Sequence, residues 1–218
     1  MNSGCTLTAT GNYTQTAGTT TLVGGTLTAT TADVQGGTLT GTGTISGNLS
    51  NAGQLTVSGT SATGSLGVTG TFTQTGAGAT DIELGGTGAG TTYDQLAITG
   101  VAALDGTINA TLTGGFTPTP GDAFLVLTFG SNAGTFATEN ISLGGGQTVA
   151  NYNASDLTLD HSGDIVETTT AFGLSGSGSA ASGGEVLLFG IGLTGDGVGT
   201  VTSVDVTLSD LTSATGLS

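Results

Sequence analysis

The sequence predicts an all-β protein: a β-solenoid (β-helix) of short stacked strands, a C-terminal β cap, and then a partial antiparallel β-sandwich. Three observations carry this expectation. The first is repetition across residues 11–100. Gly11-Asn12-Tyr13-Thr14-Gln15-Thr16 returns as Gly70-Thr71-Phe72-Thr73-Gln74-Thr75, and Gly24-Gly25-Thr26-Leu27-Thr28 returns as Gly36-Gly37-Thr38-Leu39-Thr40. Leu55-Thr56-Val57-Ser58-Gly59 returns as Leu66-Gly67-Val68-Thr69-Gly70 and as Leu96-Ala97-Ile98-Thr99-Gly100. A degenerate repeat calls for units that bury their apolar faces by stacking. The second is composition: 43 Gly and 2 Pro, with only 7% charged residues and abundant Thr. Thr, Val and Ile favour a pleated, half-buried surface, and so low a charge argues against disorder. The third is spacing. Leu22, Leu27, Val34, Leu39, Ile45, Leu49 and Leu55 lie 5, 7, 5, 6, 4 and 6 residues apart, with no helical period.

Taken in order, Cys5-Thr6-Leu7-Thr8-Ala9-Thr10 alternates with period 2 and reads as the end of an earlier turn. Residues 1–112 then form the solenoid repeats. Strands of three to five residues, broken at Gly-rich corners, make coils of about twenty residues with Leu, Val and Ile inward. An antiparallel sandwich is the competing arrangement. Residues 113–160 form the cap: the turn cluster Thr117-Pro118-Thr119-Pro120-Gly121-Asp122 precedes Ala123-Phe124-Leu125-Val126-Leu127-Thr128-Phe129, and larger hydrophobes suit the closing of an open core. Residues 161–172 carry denser charge and read as a linker. In residues 173–218, the apolar run 185–193, the turn Gly195-Asp196-Gly197 and the alternating Val204, Val206 and Leu208 supply too few strands to close a sandwich. The chain stops in mid-pattern at Leu217-Ser218, which suggests a fragment.

Charge narrows the function. There is no Lys or Arg, and the formal net charge is −15. A chain of this length ordinarily carries roughly two dozen cations. Nucleic acid is therefore excluded as an expected partner, since phosphates need Lys or Arg, and anionic membranes are disfavoured. The acids must be solvated, hydrogen-bonded or metal-bound. The single cysteine, Cys5, allows no internal disulfide. Residues 1–5 have neither a basic nor an apolar segment of a signal peptide, and no run is long enough to span a membrane.

Gly70-Thr71-Phe72-Thr73-Gln74-Thr75, Tyr93-Asp94-Gln95-Leu96-Ala97-Ile98-Thr99-Gly100, the run from Gly115 through Leu127, Gly134-Thr135-Phe136-Ala137-Thr138 and the run from Tyr152 to Asp160 together resemble bacterial surface proteins. The likeness is to autotransporter passengers and filamentous-haemagglutinin-like adhesins, and it covers residues 10–160. It implies a right-handed parallel β-solenoid at the bacterial cell surface or in the extracellular space, associated with the outer membrane through parts outside this chain. The implied role is scaffold or adhesive, with surface glycans or a host or neighbouring cell as partners. Residues 173–218 resemble the opening strands of immunoglobulin-like sandwiches in such proteins.

No reaction and no cofactor is expected. Asp81 and Glu83 share one face of a strand, as a glycosidase pair would, but a solvated face is the plainer reading. Asp156, Asp160, Asp164 and Glu167 offer oxygen ligands to calcium, yet they match no known loop spacing, and an acidic linker explains them more simply. His161 among them reads as solvated. Tyr13 and Tyr93 are candidates for stacking on a sugar, or else core or corner residues. Residues 85–90 read as a solenoid loop, not a phosphate loop. Thr-x-Thr at Thr6/Thr8, Thr14/Thr16, Thr26/Thr28, Thr38/Thr40, Thr42/Thr44 and Thr73/Thr75 would order water like an ice-binding face only if stacked on three or more successive coils of one face.

Overall fold

The computed structural model describes residues 4–162. Among them there is no helix, and sixteen strands join in a single, mostly parallel sheet that wraps around one core. Between these strands every parallel partner lies 16 (Thr38 to Gln54) to 31 (Leu96 to Leu127) residues further along. That pairing rule is consistent with a β-solenoid and excludes a sandwich of hairpins for these strands.

The pairings fall into three faces. The first runs from β1 (Thr6–Thr8) through the middle of the long strands β3 (Thr19–Val34) and β4 (Thr38–Asn51). It continues through β6 (Ser65–Val68), β9 (Gln95–Ile98) and β12 (Ala123–Thr128). The second takes β2 (Tyr13–Gln15), the ends of β3 and β4, then β7 (Phe72–Gln74), β10 (Val101–Ala103) and β13 (Ser131–Ala133). The third takes the starts of β3 and β4, then β5 (Gln54–Val57), β8 (Ala79–Leu84), β11 (Thr107–Leu112) and β14 (Thr138–Ser142). The described residues end with the antiparallel hairpin β15 (Gln147–Tyr152) and β16 (Asp156–Ser162), whose β16 pairs with β12 on the first face.

Alternation explains the core. In β8 and β9 every second residue is buried, and in register Leu27, Ile45, Val68 and Ile98 stack on the first face. Leu49, Phe72 and Ala102 do so on the second. Fully burying a Leu or Phe stabilises by roughly 1.5–3 kcal/mol, so a thin coil with a few such residues holds. Corners require glycine where one coil lies on another. Gly41 has φ +116°, and a Cβ there would stand 1.8 Å from Leu22 O.

Three polar side chains are also buried, at the end of the second face. Gln15, Asn51 and Gln74 have inward parity but satisfy corner carbonyls. Gln15 Nε2 donates to Gly18 O and Thr38 O. Gln74 Nε2 donates to Gly78 O, Asp105 O and Thr107 O, and Gln74 Oε1 accepts from Asn51 Nδ2 and Thr80 Oγ1. Each clips its own corner to the next coil.

Two expected boundaries move. Parallel stacking does not stop at Leu112, because β12, β13 and β14 pair in parallel with β9, β10 and β11. His161 and Ser162, expected at the start of the linker, belong to β16 and are buried. His161 has the same parity as Leu157 and Leu159, so it points inward and is not solvated as expected. The rest of residues 163–172 and the expected sandwich strands of 173–218 lie outside the described residues.

Candidate functional site: the loop corner between the third and first faces

Early coils are short and later ones long, and most of the added length enters at one place. Residues 58–64, 85–94 and 113–122 each connect a third-face strand to the next first-face strand, so the three loops stack at one corner. Loops displayed on a rigid scaffold are where a fold of this kind carries chemistry.

Two carboxyls organise this corner. Asp94 is fully buried. Its Oδ1 accepts from Gly64 N at 2.9 Å, and its Oδ2 accepts from Glu83 N at 2.9 Å. Ser58 Oγ stands 2.8 Å from Asp94 Oδ1 and also reaches Ala62 O. Glu83 Oε1 accepts from Ser61 N at 2.8 Å, while its buried Oε2 has no partner in the protein. Burial lifts the Asp94 carboxyl from the ordinary carboxylate range to about 7, and the negative Glu83 adds to the lift. The hydrogen bonds from Glu83 N, Ser58 and Gly64 N act against it. Ser58 and Ser61 both adopt left-handed backbone, φ 59° and 60°, and are the only non-glycine residues among those described that do so. Such conformations cost about 1–3 kcal/mol each and persist only where surroundings fix them. Here the two carboxyls do the fixing.

The expected site residues are distributed differently. Asp81 and Glu83 do share the outward side of β8. Asp81, however, is held in a row of side chains running across coils, accepting from Thr56 Oγ1 (3.2 Å) and Asn109 Nδ2 (2.7 Å), with Asn140 Nδ2 donating to Asn109 Oδ1 (2.9 Å). Its carboxyl is thus engaged in joining coils. Asp156 and Asp160 lie on β16. Asp156 accepts from Asn153 Nδ2 and Thr158 Oγ1, and Asp160 accepts from Asn151 Nδ2. Asp164 and Glu167 lie outside the described residues, and among those described no group of three or more His, Cys, Asp or Glu could hold a metal.

Tyr93 is a core residue, 3% exposed, edge-on to Phe124 with ring centroids 5.5 Å apart, and its hydroxyl accepts from Leu125 N. It is not available to stack on a sugar. Tyr13 is half-buried against the core, its hydroxyl against Thr20 Oγ1. Thr-x-Thr pairs stack on two successive coils of the first face (Thr6/Thr8 on Thr26/Thr28), where Thr44 and Ser46 follow. They also stack on two of the third (Thr19/Thr21 on Thr38/Thr40), where Gln54 and Thr56 follow. Neither row reaches three coils. The Gly-rich residues 85–90 form a loop that leads to no helix.

Asp94 was missed in the sequence. Its signal was parity: Asp94, just before β9, alternates with Leu96 and Ile98 of that strand onto the buried side, which marks an acid that enters the core.

No protein-family model matches the chain, and no curated protein shows detectable similarity to it. Among the described residues no helix is long and apolar enough to cross a membrane.

Proposed function

We propose that this chain is a non-catalytic segment of an exported bacterial surface protein, and that its stacked coils act as a stalk or adhesin scaffold. The observation that carries the reading is the continuity of the backbone ladders. Each face links six successive strands in parallel register. Such ladders resist extension along the stack, and the outer surface they leave is dressed with Thr, Ser and Asn in place of charged pairs. The stack is right-handed in this reading, as parallel crossovers nearly always are. The β15–β16 hairpin acts as the cap, covering the free edge of β12 against further pairing. A cation-free acidic surface suits a salt-rich exterior, where counterions screen the acids.

The third face favours a second role on the same scaffold, recognition of a surface glycan. Thr40, Thr56, Asp81, Asn109 and Asn140 line up there, coil upon coil, as a flat row of hydrogen-bonding groups.

Localisation and binding test both readings. Antibody raised to the whole chain should label intact cells that express the parent protein, and label confined to permeabilised cells would overturn the surface role. The whole chain on a polysaccharide panel distinguishes the two roles. Binding that is lost on Asn109→Ala and Asn140→Ala supports recognition by the third face, and no binding leaves the scaffold.

A further inference from the structure

At the loop corner, three oxygens share too few hydrogens if every acid is ionised. Ser58 Oγ carries one hydrogen. It lies within hydrogen-bonding distance of Ala62 O, which can only accept, and 2.8 Å from Asp94 Oδ1, which as a carboxylate can also only accept. One of the two contacts would then be oxygen against oxygen with no hydrogen between. A proton on Asp94 Oδ1 removes the conflict. Asp94 donates to Ser58 Oγ, Ser58 donates to Ala62 O, and the amides of Gly64 and Glu83 still donate to Asp94 Oδ1 and Oδ2.

We infer that Asp94 is a buried, protonated carboxylic acid whose proton completes this chain of hydrogen bonds and latches residues 58–64 to the solenoid, so that the loop opens as pH rises. The groups around it agree. β8 contributes Glu83 and, two residues earlier, Asp81, both acids. Residues 58–64 contribute no titratable group, β9 contributes the neutral Gln95, and β12 has none. Tyr93 precedes Asp94, its hydroxyl turned to Leu125 N. The sequence has no Lys or Arg to neutralise Asp94 as an anion beside Glu83, and its one histidine, His161, lies on β16, which pairs with β12 and not with β9. The left-handed Ser58 and Ser61 are fixed through the same two carboxyls, so losing the proton loosens the loop where its backbone is least comfortable.

The direction follows from linkage. With the loop closed the carboxyl titrates at about 7 in place of the ordinary 3.8. The closed form therefore binds the proton more tightly than the open form. Opening becomes easier as pH rises from about 4 to about 7, by up to tenfold per unit and about a thousandfold in all, and levels off above. Hydrogen exchange of the whole chain, corrected for intrinsic rates, reads this at the Gly64 amide and across residues 58–64. Protection should fall with that slope in the native sequence and be flat in Asp94→Asn. In Glu83→Gln the upper end of the window should move down, because a like charge has gone. A flat profile in the native protein, or an unchanged slope in Asp94→Asn, overturns the inference. Infrared spectra of the native chain with carboxyl-labelled aspartate stand apart from any folding defect of the variants. At pH ~6 they should contain the carbonyl band of a protonated acid, and its absence overturns the inference as well.

Discussion

Replacing Gln74 with leucine should cost this protein about 1–5 kcal/mol of stability, although the two side chains are of similar size. The side chain is 2% exposed and makes five hydrogen bonds. Leucine fills much of the same space and makes none of them. Thr80, fully buried, loses the acceptor that its hydroxyl reaches at 2.6 Å. The carbonyls of Asp105 and Thr107 lose a donor at 2.9 Å each. Asn51 loses one of two acceptors, keeping Ala79 O. Each buried group left without a partner costs about 1–3 kcal/mol. Two such groups fully orphaned give about 2–6 kcal/mol, against a return of about 1 kcal/mol from the added apolar burial. Urea unfolding of the whole chain, followed by circular dichroism, measures the difference, with the exposed neighbour Thr73→Ala as a control expected within about 0.5 kcal/mol of the native protein. A loss below about 1 kcal/mol for Gln74→Leu would refute the claim that these clips hold one coil to the next.

Two further outcomes follow from the fold. Gly41→Ala should cost about 3 kcal/mol or more in the same assay, because both the φ of +116° and the approach to Leu22 O forbid a Cβ. Gly114→Ala, at φ +62° with nothing within 4 Å, should cost only about 1 kcal/mol; equal losses at the two sites would contradict the close stacking of coils. A net charge of −15 without Lys or Arg should make the melting temperature climb by several degrees as sodium chloride rises from ~0.01 M to ~0.5 M. A salt-independent melt would mean that the acids do not repel in the folded state.

Much of the architecture was legible in the sequence because Leu, Val and Ile in a thin coil have only one place to go. The phrase around Gln15 and that around Gln74 do occupy the same face and play the same part. Other likenesses mislead. Leu27 and Leu39 sit in matching phrases but on different faces, as do Leu55 and Leu66, because a short coil uses one local solution, Gly-Gly-Thr-Leu-Thr or Leu-x-Val, on any face. Coil length was legible only for the early turns, since residues 58–64, 85–94 and 113–122 add length without disturbing the strands. Polar roles were the least legible. Gln74, Asn51, Asp94 and His161 look like surface residues by type, and only their parity with Phe72, Leu49, Leu96 and Leu159 places them inside. The carboxyl corner needed the structure, because its partners Ser58, Gly64, Glu83 and Asp94 meet from two loops and a strand.

The central claim is that successive coils lie in parallel register, and a designed cross-link tests it most directly. Thr73 and Ala103 are outward partners on the second face, thirty residues apart in sequence. Adjacent strands lie about 4.8 Å apart, within the Cα separation that a disulfide spans. In a Cys5→Ser background, Thr73→Cys with Ala103→Cys should oxidise rapidly to an intramolecular disulfide in the folded protein, while Thr73→Cys with Thr111→Cys, on another face, should not. Rapid, selective closure of the first pair is the result the stacked-coil account predicts. Failure of that pair to close, or equal closure of both, would contradict it.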